Sequence, residues 1–341
     1  MVAGILALLF TACQLEAAVP EAVAEAARGT AFAREGKYDL AIQHYQAALR
    51  LDSHLPGLHL NLGLAYFKSK RLPEATTAFE EAVRADAGNF QARALLGMSY
   101  YGSARYADAA AQLKLASAAQ PDNLELRYTL AQSYLWSHQY REAEAEFQLL
   151  LSKNPGAAPV HILLGEVLDA SNRTEAATAE FEAAVKAPPV PPEAHFGLGY
   201  LYWKQRRWEE ARREFEAELG SQPQHAPALT YLGDAEMHLD RAKLAEAHLH
   251  SALALDAGIR LAHLDLGILL AARKESEEAA RQFREAIRLD PTKPDAHYRL
   301  GRLWSSLGRP QEAQAEFAKV KDLAAEEPPP PLIQLSGRPL P

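Results

Sequence analysis

Residues Pro192–Pro223 read PEAHFGLGYLYWKQRRWEEARREFEAELGSQP. Most of the distinctive residue types in this stretch recur at equivalent positions when the sequence is shifted by 34 residues. Leu198, Gly199, Ala211 and Phe215 have counterparts one period upstream and two periods downstream. These counterparts are Leu164, Gly165, Ala177 and Phe181 upstream, and Leu266, Gly267, Ala279 and Phe283 downstream. A self-similarity at one fixed period indicates a repeat architecture, which grows along one direction and has no single compact core.

The register continues without insertion through nine units of 34 residues. Position 20 is alanine in all nine units, position 8 is glycine in eight, and position 7 is leucine in eight. Position 24 is aromatic in seven units, and proline closes five of them at position 32. The predicted units are residues 22–55, 56–89, 90–123, 124–157, 158–191, 192–225, 226–259, 260–293 and 294–327.

Each unit is predicted to form two α-helices. Positions 4, 7, 8 and 11 have the spacing of one helical face, and so do positions 20, 24 and 27. The small residues at positions 8 and 20 allow two antiparallel helices to approach closely, while the larger ones fill the space around them. Proline at position 32 ends the second helix, because it disfavours helical geometry at the residue before it.

This pattern resembles the tetratricopeptide repeat, whose consensus is Trp-x2-Leu-Gly-x2-Tyr, then Ala-x3-Phe, then Pro. The resemblance implies an all-α, right-handed superhelical solenoid with a concave groove lined by the first helix of each repeat. The chain departs from the consensus at position 4, which is never tryptophan. Repeat seven has Glu236 and Leu249 at two packing positions, and repeat six has Glu218 at another. These three residues predict a loosely packed joint at repeat seven.

Composition limits the classes of function. Hydrophobic residues make up 48% and charged residues 23%, so the repeats should fold rather than remain disordered. The net charge of −8, spread along the chain, argues against binding nucleic acid or an anionic membrane surface. The single cysteine, Cys13, excludes an intramolecular disulfide and a zinc site built from cysteines.

The histidines and short motifs do not predict an enzyme. Five of the twelve histidines occupy position 4 of separate repeats, at His59, His161, His195, His263 and His297. A zinc site needs ligands that converge, so these histidines are interpreted as framework residues and no metal or cofactor is expected. Gly197-Leu198-Gly199 lies within a predicted helix and follows no strand, which argues against a dinucleotide-binding loop. No catalytic residues are therefore assigned.

The candidate functional site is the groove that the resemblance implies. In the family, positions 2, 5, 9, 12 and 13 face the groove. At these positions the sequence offers aromatic residues and methionines flanked by acidic residues, which are typical of peptide-binding surfaces. The candidate groove residues are Leu64, Phe67, Met98, Tyr101, Tyr128, Trp136, Glu166, Asp169, Phe196, Tyr200, Trp203, Asp234 and Met237. The alternative is that these side chains pack against the first helices of neighbouring repeats.

The two ends of the chain differ from the repeats. Residues 1–21 include an apolar run, Val2–Phe10, which is shorter than the roughly 20 residues that span a bilayer. The run predicts an export leader, and the residues that end at Cys13 resemble a lipoprotein motif in which Cys13 is lipidated. A cytoplasmic protein is the alternative, since no Lys or Arg precedes the run. Residues 328–341 begin with four prolines and are predicted to be a disordered tail.

The sequence therefore predicts a non-catalytic scaffold or adaptor that holds a segment of another protein in its groove. Aromatic anchors would supply contact area, and the acidic side chains would favour partners with basic residues. If exported from a bacterium, the protein would resemble repeat lipoproteins that assist envelope or pilus assembly. Two alternatives are the regulatory arm of a separate enzyme and a protein that self-associates through its ends. The partner and the oligomeric state are not predicted.

Overall fold

A computed structural model of the protein describes residues 19–324, and this part of the chain consists of α-helices joined by short turns. Cys13 and the predicted tail, residues 328–341, lie outside the described residues. The eighteen helices of the described part are α1 (Pro20–Arg34), α2 (Tyr38–Leu51), α3 (Leu58–Lys68), α4 (Leu72–Ala85), α5 (Phe90–Gly102), α6 (Tyr106–Ala119), α7 (Leu124–Trp136), α8 (Tyr140–Lys153), α9 (Ala158–Ala170), α10 (Thr174–Lys186), α11 (Ala194–Lys204), α12 (Trp208–Ser221), α13 (Ala226–His238), α14 (Ala242–Leu255), α15 (Arg260–Ala272), α16 (Ser276–Leu289), α17 (Pro294–Ser306) and α18 (Pro310–Ala324).

The chain divides between Gln139 and Tyr140 into two compact units, unit 1 with α1–α7 and unit 2 with α8–α18. In unit 2 each first helix packs against the second helix of its own repeat, as α11 does against α12 and α13 against α14. First helices also pack against the first helix of the next repeat, as α11 does against α13 and α13 against α15. The first helices α11, α13, α15 and α17 therefore form a continuous row, and α9 is linked to α11 by the bond from Lys204 to Asp169.

The turn between the two helices of a repeat has the same backbone geometry throughout. The residue at position 15 has a positive φ in every repeat. These residues are Gly36, Lys70, Ala104, His138, Asn172, Arg206, Asp240, Lys274 and Gly308. The next residue returns its N–H to the carbonyl of position 11, as Arg207 does to Tyr202 at 2.9 Å. This left-handed ending satisfies carbonyl groups at the end of the first helix and reverses the chain.

The core of each repeat is built around the residue at position 24. Phe181 is fully buried, and its ring lies between Gly165 of the same repeat and Gly197 of the next. A Cβ atom added at Gly165 would lie 2.6 Å from the ring, and one added at Gly197 would lie even closer. The glycines at these two sites thus allow the close approach of three helices, α9, α10 and α11.

Tyrosine at position 11 joins successive repeats. The Tyr202 hydroxyl donates to Glu182 of the preceding repeat at 2.8 Å, and the Arg207 guanidinium lies over the Tyr202 ring at 4.3 Å. Tyr100 makes the equivalent bond to Glu80 at 2.6 Å. Burial and the bond to Glu182 raise the pKa of Tyr202 to about 12. These bonds help to fix the orientation of repeats three and six on the repeats before them.

The acidic residues that depart from the repeat pattern, Glu218 and Glu236, form hydrogen bonds within the fold. Glu218 is 1% exposed, accepts the backbone N–H of Phe196 at 3.2 Å, and also binds the amide of Gln222. The Phe196 N–H needs this acceptor because α11 begins two residues later in its repeat than α13 does. Glu236 is likewise buried and lies 2.8 Å from His248. The contacts of these residues remove the reason for expecting a loose joint at repeat seven.

Candidate partner-binding surface

Four of the five histidines at position 4 pair with the second helix of their own repeat. The Nδ1 atoms of His161, His195 and His297 lie 2.6 to 2.7 Å from glutamates at position 23. His263 makes the same contact with Gln282. Within residues 19–324, no group of three or more His, Cys, Asp or Glu side chains is arranged to hold a metal ion. These four histidines therefore form polar contacts between the two helices of a repeat.

Repeat seven has a different polar contact between its two helices, and this contact leads to a testable prediction. His248 lies 2.8 Å from Glu236, whose side chain is only 2% exposed. This hydrogen bond raises the pKa of His248 above its usual 6.5, against the smaller opposing effect of burial. We expect an NMR titration of the His248 ring to have its midpoint above pH 6.5, and Glu236→Gln to lower that midpoint.

The same bond links stability to pH. Because the folded-state pKa of His248 is raised, the stabilisation is fully present below pH 6.5 and is lost as the pH rises through the folded-state value. The exposed Glu277 of α16 offers a control, since Glu277→Gln should leave the His248 midpoint unchanged. An unchanged midpoint in Glu236→Gln would show that the bond does not control the titration.

The thirteen candidate groove residues divide into two sets. Leu64, Phe67, Met98, Tyr101, Tyr128, Trp136, Asp169, Trp203 and Met237 are half-buried, whereas Glu166, Phe196, Tyr200 and Asp234 are buried. The expectation of exposed aromatic side chains is wrong for Phe196 and Tyr200, which are 4% and 8% exposed. The reason is that α11 packs against α13, so the facing side chains fill the space between the two helices.

Three of the half-buried candidates in unit 1 lie beside other aromatic rings. Tyr101 has its ring 5.5 Å from Tyr106, which lies 6.5 Å from Trp136. Phe67 lies 6.4 Å from the core residue Phe79. These three side chains therefore combine packing within unit 1 with partial exposure.

An aromatic cluster occupies the row of first helices in unit 2. The Trp203 ring stacks on Tyr200 at 5.7 Å and meets Tyr231 edge-on at 5.0 Å. Tyr231 also contacts Phe196 and stacks on the core residue Phe215. Burial raises the pKa of Tyr200 to about 12, with a smaller contribution from the charge of Asp169. Trp203 and Tyr231 are half-buried, whereas Phe196, Tyr200 and Phe215 are buried, so a partner could contact only the first two.

Charged side chains border this cluster. The Trp203 indole Nε1–H donates to Asp234 at 3.1 Å, and His238 lies 3.5 Å from the same carboxylate. Lys204 donates to Asp169 of the preceding repeat at 2.7 Å. The exposed side of α9, α11 and α13 that carries Asp169, Trp203, Lys204, Met237 and His238 is called the first-helix surface below. It combines one half-buried indole with polar side chains from three successive repeats.

Two residues of this region were not among the sequence candidates. Tyr231 and Asp265 occupy position 6 of their repeats, which belongs neither to the packing pattern nor to the groove positions of the family. Asp265 is 4% exposed, and its Oδ2 atom has no hydrogen-bond partner among the described residues. Burial, and next the charge of Asp234, raises the pKa of Asp265 well above its usual value. Asp234 also has a raised pKa because it is buried, although the Trp203 bond opposes the shift.

The fold and the first-helix surface together define a helical-repeat protein. Residues 29–70 match a model described as TPR repeat, and models described as tetratricopeptide repeat match residues 56–89, 100–166, 162–226, 196–258 and 270–329. The chain belongs to the tetratricopeptide-repeat family. No curated protein matches the sequence.

Solved structures with a similar fold come from repeat proteins. The C-terminal part of a TPR repeat-containing protein from Cytophaga hutchinsonii is 15% identical, with a TM-score of 0.57, over 70% of this chain and 98% of that one. PilW, described as a type IV pilus biogenesis factor, is 21% identical with a TM-score of 0.51, over 62% of this chain and 97% of its own. PilF of Pseudomonas aeruginosa is 16% identical with a TM-score of 0.50, over 60% and 97%. These likenesses show a shared fold.

Between residues 19 and 324, no helix is both long enough and apolar enough to cross a membrane.

Proposed function

We propose that the protein is a non-catalytic interaction scaffold that binds a segment of another protein on its first-helix surface. The observation that carries the proposal is the half-buried indole of Trp203, held by Asp234 between two tyrosines on adjacent repeats. A rigid aromatic side chain that keeps one accessible side offers contact area at a low entropic cost.

The surroundings of Trp203 favour an extended or helical segment over a small molecule. Asp169, Trp203 and Met237 belong to three successive first helices, so a ligand that contacts all three must itself be elongated. Their polar neighbours, Lys204 and His238, give the surface a polar border. An apolar centre with a polar rim is the common arrangement of protein interfaces.

The proposal is tested by selecting random 12-residue peptides for binding to the full chain and measuring their affinities by fluorescence anisotropy. We expect Met237→Arg to weaken binding by about tenfold or more, because a charge would replace an apolar contact on the surface. Leu244→Arg offers a matched control, since Leu244 belongs to the second helix of the same repeat and is 52% exposed.

The control substitution should leave peptide affinity within about twofold of the unaltered protein. Thermal melting of both variants separates lost binding from lost structure, because Met237 also packs beside Leu249, Ala262 and Leu266. Equal weakening by both substitutions, or failure to select any peptide, would contradict the proposal.

Action in bacterial envelope assembly is a separate proposal for the same scaffold. It rests on the apolar run and Cys13 at the start of the sequence. PilW shares the fold and is described as a pilus biogenesis factor, which is compatible with such a role. The binding surface in unit 2 is independent of where the protein is located.

A further inference from the structure

Asp265 is a buried carboxylate that the fold does not neutralise. It lies on α15, near Tyr231 and Asp234 of α13. Burial raises the pKa of Tyr231, and the charges of both aspartates add to the shift. The Oδ2 atom of Asp265 is buried without a hydrogen-bond partner among the described residues. A buried, unpaired carboxylate is costly, and such groups are concentrated at sites where a ligand completes the pairing.

The nearby cations of the chain do not supply that pairing. One terminal nitrogen of the Arg260 guanidinium is bound to Asp295, its buried Nε atom has no hydrogen-bond partner among the described residues, and Arg299 is exposed. Both lower the pKa of Asp265 less than burial and the neighbouring aspartates raise it. Lys204 is held by Asp169, and the His238 ring, which is stacked on Trp208 at 4.0 Å, lies 3.5 Å from Asp234 and makes no hydrogen bond to the unpaired atom of Asp265. Within the described part of the chain, these neighbours therefore leave the pKa of both aspartates raised and the Oδ2 atom of Asp265 without a hydrogen-bond partner.

We propose that Asp234 and Asp265 form a subsite for one basic side chain, arginine or lysine, of the segment that the first-helix surface binds. The inference rests on the proposed function and names a chemical requirement of the partner. Trp203 and Tyr231 lie next to these carboxylates, and an aromatic ring is a favourable neighbour for an organic cation. The bound cation would complete a charge-assisted hydrogen bond to each carboxylate.

The composition of the subsite favours an organic cation over a metal ion. A bound calcium ion takes six to eight oxygen ligands and a magnesium ion six. Among the described residues, no metal-binding group of three or more suitable side chains includes Asp234 and Asp265. A guanidinium or ammonium group needs only a few acceptors, which two aspartates supply.

The test uses the strongest selected peptide and a copy in which each arginine or lysine in turn is replaced by citrulline or norleucine. These replacements remove the positive charge and keep the length of the side chain. We expect one replacement to weaken binding to the unaltered protein at least about tenfold, since it removes a buried charge pair. In Asp265→Asn the same replacement should change the affinity by less than about twofold.

An asparagine side chain cannot carry the charge, so Asp265→Asn should melt at the same or a higher temperature at pH 7 while binding the basic peptide more weakly. A purely structural role for Asp265 would instead lower the melting temperature and leave the preference for a basic residue intact. The exposed Asp240 gives a control of identical chemistry in repeat seven, and Asp240→Asn should change neither quantity.

The outcomes separate the two proposals. Peptides that bind without a preference for a basic residue, or an equal effect of the charge replacement on both proteins, would overturn the subsite and leave the scaffold function standing. The absence of any binding peptide would overturn both.

Discussion

Phe181→Ala is expected to lower the free energy of unfolding of unit 2 by about 3–5 kcal/mol, the usual range when a buried phenylalanine is truncated. The ring is fully buried and lies between Gly165 and Gly197 of two repeats. Neither glycine has a side chain that could move into the vacated space, so most of the cavity should remain. The loss should appear as a lower midpoint in urea or guanidinium, followed by far-UV circular dichroism and tryptophan fluorescence.

The chain offers a matched control at the same position of repeat nine. Phe317 is 37% exposed and lies against Gly301 and the Tyr298 ring. Because less apolar surface returns to water, Phe317→Ala should cost about 1–2 kcal/mol. Similar losses for the two variants would contradict the view that Phe181 joins repeats five and six, and that repeat nine is less tightly packed.

Gly197→Ala is expected to destabilise unit 2 by about 1–3 kcal/mol, although alanine is intrinsically the better helix former. A Cβ atom at residue 197 would come within 3.0 Å of the Phe181 ring, closer than real Cβ contacts occur. The ring cannot move away freely, because Gly165 lies against it as well. The expected sign is thus opposite to that of helix propensity, and denaturant unfolding of the purified variant measures it.

Gly220 provides the comparison. It belongs to α12, and a Cβ atom added there would meet nothing within 4 Å. Gly220→Ala should therefore leave stability unchanged or raise it by up to about 1 kcal/mol. If both alanine variants are stabilised, the close approach of α11 to the Phe181 ring does not limit packing in solution.

The repeat pattern predicts the fold well because the same few contacts recur in every unit. Glycine at position 8 and a large residue at position 24 are close in space in eight of the nine repeats, as Gly165 and Phe181 illustrate. Alanine at position 20, as in Ala211, is completely buried. The all-α architecture of paired helices was therefore predictable from spacing alone, and its assignment to the tetratricopeptide-repeat family is confirmed.

The binding surface was less predictable, since the pattern of one repeat does not state which side chains contact the next repeat. Phe196 and Tyr200 occupy groove positions of the family but are covered by α13, where Tyr231 lies against both rings. Asp265 was missed for the same reason. Its burial depends on neighbouring helices rather than on its own position. The role of the thirteen candidates in binding remains a prediction.

The turn geometry at position 15 bears on how the chain folds. Within each unit, the extensive helix–helix contacts join helices that are neighbours in sequence or one repeat apart. Such a low contact order predicts fast folding, because few long loops must close before contacts form. Each hairpin can start independently at its left-handed turn, so folding can begin in any repeat and spread to its neighbours. During synthesis, a nascent chain of which only a few repeats have left the ribosome would therefore already contain native helical hairpins.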